Sequence, residues 1–380
     1  MRCSLGLALA WAAGMSAAAQ ERCASIPSGT GQLQGLQSVE TAELPTVITV
    51  PVVVHILWRT PEEDISYDQV RSQLESLNAD FSRGNADLSR VPAVFAARSA
   101  GCGIRFVLAT ADPEGRPTNG ILRKRTNALL WINDDRIKSS RTGGSDPWDP
   151  QSYLNIWVGN LSSSLLGFSS FPGAPPAKDG IVIRYNVFGT RGRLSPPWDK
   201  GRTLTHELGH WLGLRHLWGD TPCGDDGVDD TPRQKTGNRG TPSFPLLRTD
   251  CANGPDGDMF MNFMDLSDDA SLLMFTRGQA ALMRAQFATT RKGILSSKGA
   301  GEPWNNEPPG DASIRFFPNP AHDHIRIEGL PPGSMVELFN SLGQSVLRRT
   351  MGEGRIELPA LPAGIYRLRL NGETHSLVVR

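Results

Sequence analysis

The chain has 380 residues, with 39 basic and 39 acidic side chains and a formal net charge of zero at pH 7. That balance argues against nucleic acid or an anionic membrane as the main partner. Hydrophobic residues make up 39% of the chain, enough for an ordinary globular core, and 40 glycines with 28 prolines predict long loops.

The chain opens with Met1-Arg2, runs apolar from Leu5 to Met15 and closes on small residues at Ser16 to Ala19. This predicts a secretory signal peptide over residues 1–20. The run is too short to span a bilayer, and no later stretch is long and apolar enough to do so. Removing it takes away Cys3 and leaves Cys23, Cys102, Cys223 and Cys251, an even set compatible with disulfides after export. Residues 21–45 are rich in Ser, Gly, Gln and Thr without a period, and read as an exposed leader or pro-segment.

Thr46 to Trp58 is β-branched and apolar, the pattern of a buried strand, with His55 inside it as a packed core residue. Ser66 to Phe81 reads as a helix with Val70, Leu74, Leu77 and Phe81 on one stripe and Ser66 as its cap. Short strands follow at Ile104–Ala109, Gly120–Lys124, Tyr153–Asn160 and Gly180–Tyr185. Strand, helix and further strands predict a twisted mixed sheet backed by helices, an α+β arrangement.

Thr203 to Leu212 reads as a helix containing His206-Glu-Leu-Gly-His210, followed by Gly213 and His216. One helical turn separates His206 from His210, so both imidazoles leave the same face. That spacing suits two nitrogen ligands on one Zn2+. Gly213 can adopt positive φ, end the helix and return His216 as a third ligand. Three protein ligands leave the fourth tetrahedral position open to water, as in catalytic zinc sites. Glu207, beside the first ligand, is placed to take a proton from that water. Leu208 and Leu212 are expected to pack in the core.

Residues 217–275 form a long irregular region that something must tie down. Within it, Asp225, Asp226, Asp229, Asp230 and Thr231 concentrate hard oxygen donors that suit Ca2+, though without EF-hand spacing. Thr276 to Phe287 reads as a helix with a capping box from Thr276 and Gln279 and an inner face of Leu282, Met283 and Phe287. A polar linker over 296–313 leads to residues 314–380, where alternating segments and turn residues predict a small β-sandwich of roughly seven strands. The catalytic domain is accordingly expected over 46–295.

Beyond the zinc motif the chain carries Leu77-Asn-Ala-Asp80-Phe81, Ile104-Arg-Phe-Val-Leu-Ala109, Leu154-Asn-Ile-Trp157, Gly167-Phe-Ser-Ser-Phe-Pro172, Asp230-Thr-Pro232 and Asn262-Phe-Met264-Asp265. Over about residues 46–290 it resembles the pappalysin family of metzincin metalloproteases, in particular a secreted microbial branch. The resemblance implies a zinc endopeptidase acting on proteins or peptides, a Met-turn with Met264 beneath the zinc ligands, and a disulfide between Cys223 and Cys251. Related proteins also bind calcium near the Asp225–Thr231 loop. Two departures stand out. Leu266 occupies the position where many members carry a tyrosine that stabilises the tetrahedral intermediate. Ala270-Ser271-Leu272 lacks a cysteine that many members use in a second disulfide.

Two roles are open for Cys23: a thiolate ligand that keeps a latent form inactive, or a disulfide with Cys102. The C-terminal module resembles the type A sorting domain of the type IX secretion system through Phe317-Pro-Asn-Pro-Ala321, Leu342-Gly343 and Leu361-Pro-Ala-Gly-Ile-Tyr366. The export machinery would be its partner; a substrate- or surface-binding sandwich is the alternative. The whole reads as a secreted or cell-surface monomeric zinc endopeptidase, with a non-catalytic adhesin on the same fold as the rival.

Overall fold

The computed structural model describes residues 21–25, 44–162, 165–301, 315–328, 330, 334–351, 354–370 and 373–380. The expected signal peptide, most of the leader and most of the linker lie outside the described residues. The chain divides into two compact units, Met1–Glu302 and Pro303–Arg380.

The first unit is organised on β2 (Ile48–Trp58), whose residues are buried almost throughout. A strand covered on both faces must be apolar continuously rather than alternately, which is what its Val and Ile run provides. Helix α1 (Tyr67–Ser82) follows, capped by Ser66, whose side chain accepts from the Gln69 N–H. A short helix α2 (Ala93–Ala96) precedes β3 (Ser99–Ala100). Then come β4 (Ile104–Leu108), β5 (Ile121–Arg125), β6 (Leu154–Gly159), β7 (Leu165–Ser169) and β8 (Ile181–Arg184). The site helix is α3 (Arg202–Trp211), and the unit closes with β9 (Phe275–Thr276), paired to β3, and α4 (Arg277–Ala285).

The main sheet runs β1-β7-β8-β6-β2-β4, with β5 pairing the second half of β2. Here β1 is Glu21–Cys23. Its pairs are parallel except that β7 runs antiparallel to β8. The leader therefore contributes a strand, and Cys23 and Ser25 are buried, against the expectation that this segment is exposed. Pairing along β7 covers them.

Polar side chains of α1 set the entry to α3. Gln69 donates to the carbonyls of Tyr185 and Phe188, and Gln73 donates to the Gly201 carbonyl. Gly201 itself has φ +73° and a β-carbon there would press on Gln73, so the helix starts from a glycine. All ten residues of α3 are buried. Its outer flank is held by Thr205, which donates to Asp80 at 2.7 Å, and by Arg202, which pairs with Asp80 and Asp87 at 3.1 Å each. Burial pushes the Asp80 carboxyl up to about 7 even with Arg202 beside it. At the other end Trp211 donates to Asp179 at 2.9 Å, while Arg291 stacks 3.9 Å above the Trp211 ring and pairs with Asp179.

The helix expected near 276–287 has the capping box, and Leu282, Met283 and Phe287 are buried. His55 is a core residue as expected: Ser145 Oγ lies 2.9 Å from Nδ1, Asn155 Oδ1 lies 3.0 Å from Nε2, and the ring stacks on Trp157. The long 217–275 region is tied by the Cys223–Cys251 disulfide, with Cα atoms 5.2 Å apart.

Among its described residues the second unit is a two-sheet β arrangement of seven strands. One sheet orders β10 (Arg315–Phe317), β11 (His324–Glu328) and β14 (Arg355–Glu357). The other orders β13 (Ser345–Thr350), β12 (Met335–Phe339), β15 (Gly364–Leu370) and β16 (Glu373–Val379). Alternate residues Val336, Leu338, Tyr366, Leu368 and Leu370 point inward, the period-two burial that the sequence predicts.

Candidate metal centre and catalytic residues

Helix α3 presents His206 and His210 one turn apart, and Glu207 one residue on. After Leu212 the chain turns at Gly213, which has φ +92° as its position in the motif predicts. The turn lets the Leu214 carbonyl accept from His210 Nδ1 at 2.8 Å and brings His216 back to the helix. His210 Nε2 lies 3.1 Å from His206 Nε2 and 3.2 Å from His216 Nε2.

The three outer nitrogens fix the tautomers. His206 Nδ1 faces the Phe263 carbonyl at 2.7 Å, and His216 Nδ1 faces Asp220 Oδ1 at 2.6 Å. Carbonyl oxygens only accept, so Nδ1 of His206 and of His210 must carry the proton, and the Asp220 carboxylate favours the same for His216. Each Nε2 then turns a lone pair toward the other two. Burial, and next the neighbouring His216, holds His210 well below its ordinary value, which keeps that ring neutral. Three neutral nitrogens converging in this way fit one cation. Ligands at 2.0–2.1 Å in a tetrahedron are about 3.3 Å apart, close to the two separations found.

Met264 lies under the motif with no solvent exposure. A β-carbon on Gly209 would collide with its sulfur, so the glycine between the two helix histidines is the space in which Met264 packs. Asn262 holds this turn by donating to Gln279 and accepting from the Met264 N–H at 2.9 Å. Leu266 packs beside Gly237 and Trp218, and Trp218 lies flat on the His216 ring at 4.3 Å.

Cys23 joins this centre. One ligand atom from each of Cys23, His206, His210 and His216 lies within 4.8 Å of every other, and this is the one such cluster among the described residues. The Cys23–Cys102 bond left open by the sequence is not formed: both are buried free thiols. Cys23 Sγ lies 3.6 Å from Glu207 Oε2, and the Ser25 hydroxyl donates to the same oxygen at 2.8 Å. At Gly167 of β7 a β-carbon would collide first with Ile183 and the Val182 carbonyl of β8, at 2.8 and 3.0 Å, and then approach Glu207 Cγ at 3.3 Å.

The acidic loop is arranged differently from a single gathered cluster. Asp226 accepts from Thr231 Oγ1 at 2.8 Å and from the Val228 N–H, while Asp230 accepts from Thr276 Oγ1 at 2.6 Å and from the Gly278 N–H. Asp225 pairs with Arg233 at 3.1 Å, and Asp229 is exposed. Sequence reasoning missed Ser25 and Asp220. A short acid four residues after a ligand histidine was the available signal for Asp220; nothing local marked Ser25.

Comparison with known proteins is consistent with this geometry. The profile of the pregnancy-associated plasma protein-A peptidase family matches residues 138–288, and that of a secretion system C-terminal sorting domain matches residues 315–380. An extracellular metalloprotease of Arthroderma benhamiae is 30% identical over 314 residues, covering 77% of this chain and 92% of its own length. One from Arthroderma otae is 29% identical over 77% of this chain and its entire length. Among solved structures, a variant of Tannerella forsythia promirolysin is 44% identical with a TM-score of 0.64, covering 66% of this chain and 84% of that one. Mature mirolysin of the same organism, in complex with a cleaved peptide, gives the same identity and TM-score over 66% and 96%. Among the described residues no helix is long and apolar enough to cross a membrane.

Proposed function

The chain belongs to the pregnancy-associated plasma protein-A, or pappalysin, family and is a secreted zinc metalloendopeptidase; on that premise we propose which of its residues carry the reaction. His206, His210 and His216 hold the zinc through Nε2. When bound, the ion supplies Lewis acidity for peptide hydrolysis. Glu207 is the general base and acid: its buried carboxylate takes the proton of the attacking water and returns it to the leaving amine. Met264 is a support beneath the ligand set, since a thioether is a poor zinc ligand. Phe263, Leu214 and Asp220 orient the three imidazoles from behind.

The observation that carries this reading is the convergence of three Nε2 atoms at 3.1 and 3.2 Å while their Nδ1 atoms are engaged outward. Metal analysis of the processed protein together with casein cleavage tests it. Stoichiometric zinc and cleavage abolished by 1,10-phenanthroline are expected. A protein without zinc, or cleavage indifferent to the chelator, refutes it.

Residues 21–45 act as a latency segment, with the Cys23 thiolate as fourth ligand in the unprocessed form and catalytic residues from 46 to 295. Its position among the three histidines supports this. X-ray absorption showing no sulfur beside zinc in the unprocessed chain would refute it. The enzyme works as a monomer, and residues 314–380 engage the type IX export machinery; deleting them is expected to stop secretion. A calcium ion at Asp225, Asp226, Asp229, Asp230 and Thr231 is proposed from their oxygen density alone, and a melting temperature unchanged by EGTA would dismiss it.

A further inference from the structure

We infer that Ser25 is a second latch, which silences the general base while Cys23 occupies the ligand cluster. The inference rests on the assignment of Glu207 as the proton acceptor. Cys23 and Ser25 are two residues apart on an extended segment, so their side chains leave the same face. Both are buried against α3.

A serine hydroxyl has one proton. The Ser169 main-chain N–H donates to Ser25 Oγ at 2.8 Å, which turns the acceptor side of that oxygen toward β7. The proton is left to Glu207 Oε2, 2.8 Å away. A hydroxyl-to-carboxylate hydrogen bond is charge-assisted and stronger than a neutral one. That oxygen is then occupied, and the hydroxyl stands where a water giving up its proton would have to stand. The Ser25 N–H donates to Cys23 Sγ at 3.3 Å, so the two blocking groups are tied to each other locally. Cys23 Sγ is the more distant neighbour of Glu207, at 3.6 Å, and as a thiolate ligand it has no proton to give. Ser25 is therefore the residue that occupies the base. Latency then has two independent parts, one on the metal ligands and one on the proton path.

The test uses the full unprocessed chain in two states. In the chelator-treated protein the Ser25–Glu207 contact remains while any sulfur–zinc bond is gone, so hydrogen exchange at the Ala24 amide reads the latch alone. Ser25→Ala is expected to speed that exchange about tenfold or more. Glu207→Ala is expected to do the same, and the double variant to add little beyond either. Exchange unchanged in Ser25→Ala, or effects of the two changes that add in full, overturns the latch. In the zinc-loaded chain, Ser25→Ala is expected to raise residual casein hydrolysis by the unprocessed form about tenfold. Ser25→Thr, which keeps the hydroxyl, is expected to stay near the parent. Hydrolysis unchanged by Ser25→Ala in a protein whose processed form is active overturns the role in latency. A processed form without activity would instead remove the assignment of Glu207 and leave the exchange result standing. Melting of the metal-free protein checks that each variant keeps its fold.

Discussion

The main-chain oxygen of Phe263 lies 2.7 Å from His206 Nδ1, one residue before the methionine that packs under Gly209. One turn thus sets the tautomer of a ligand and fills the space beneath the helix that carries it. Gly209→Ala puts these two roles in conflict. Alanine favours the helix by about 1 kcal/mol. Forcing Met264 away from a filled core costs about 1–3 kcal/mol. The net loss of stability should be about 0–2 kcal/mol, and the displaced turn carries the Phe263 carbonyl with it. Zinc affinity is expected to fall about tenfold, the lower end for loss of a ligand-orienting contact. Chelator competition measures it, and unchanged affinity would separate the turn from the site.

Asp220 reaches His216 Nδ1 at 2.6 Å and is itself only partly buried. It fixes the one ligand that lies outside the helix and whose Nδ1 faces a side chain. Asp220→Ala is expected to lower zinc affinity about 10- to 100-fold. The disulfide-tied loop should fold as before. An equal loss of affinity for a variant of an acid remote from the ligands, such as Asp229→Ala, would make the effect nonspecific.

Glu207 contributes its carboxylate but is no member of the ligand cluster. Glu207→Gln keeps the shape and removes the proton acceptor. Proteolysis should drop by about 10²-fold or more, the scale of general acid–base catalysis, with zinc content unchanged. His206→Ala should lose both. Substantial activity in Glu207→Gln would move the base elsewhere.

The parts of this molecule readable in advance were those whose physics is local. The buried strand at Ile48–Trp58 announces itself through continuous β-branched residues, and α1 through Val70, Leu74, Leu77 and Phe81 at helical spacing. The ligand histidines were legible because one turn of helix and one glycine decide their geometry. Strand β7 was missed because Leu165–Ser169 is five residues with a glycine at its centre, a pattern that reads as a turn. That glycine is needed for the close approach of Ile183 and Val182 on β8, with Glu207 next nearest. Strand β1 has no apolar alternation and exists because the sheet edge offers it partners. Ser25 meets Glu207 across 182 positions of sequence, and no spacing rule reaches that far. In the acidic loop, composition gives the donor types but not their local partners: Asp226 and Asp230 accept from neighbouring backbone N–H and hydroxyl groups.

The Cys223–Cys251 bond closes 28 residues of the irregular region. By the chain-entropy model such a loop closure is worth about 3.5 kcal/mol. A Cys223→Ser, Cys251→Ser double variant should lose about that much in urea unfolding of the Glu207→Gln protein, which does not digest itself. A loss well under 1 kcal/mol would mean that the loop is held by its other contacts, such as Asp265 with Gln234 and Asn238.

His55 supplies a pH dependence independent of the metal centre. Its ring is 1% exposed, and burial lowers it from 6.5 to about 4, offset in part by Asn155 and Asp146. Asn155 Oδ1 accepts from Nε2, so Nδ1 is the acceptor for the Ser145 hydroxyl, and the neutral ring is fully satisfied. Protonating Nδ1 would force the Ser145 hydroxyl to turn and accept, and would leave a charge buried in the core. The unfolded chain takes up this proton near pH 6.5 and the folded chain only near 4, so the unfolded state binds more protons between those values. The stability is complete above about 6.5 and is lost as pH falls through 4, on the order of 3 kcal/mol for a shift of this size. His55→Gln keeps a donor and an acceptor but cannot titrate. Urea unfolding of the Glu207→Gln protein at pH 7 and pH 4, with and without the added His55→Gln change, reads the difference. The fall in stability on acidification should be about 3 kcal/mol larger in the protein that retains the histidine. Equal falls in the two proteins would mean that acid acts through other groups.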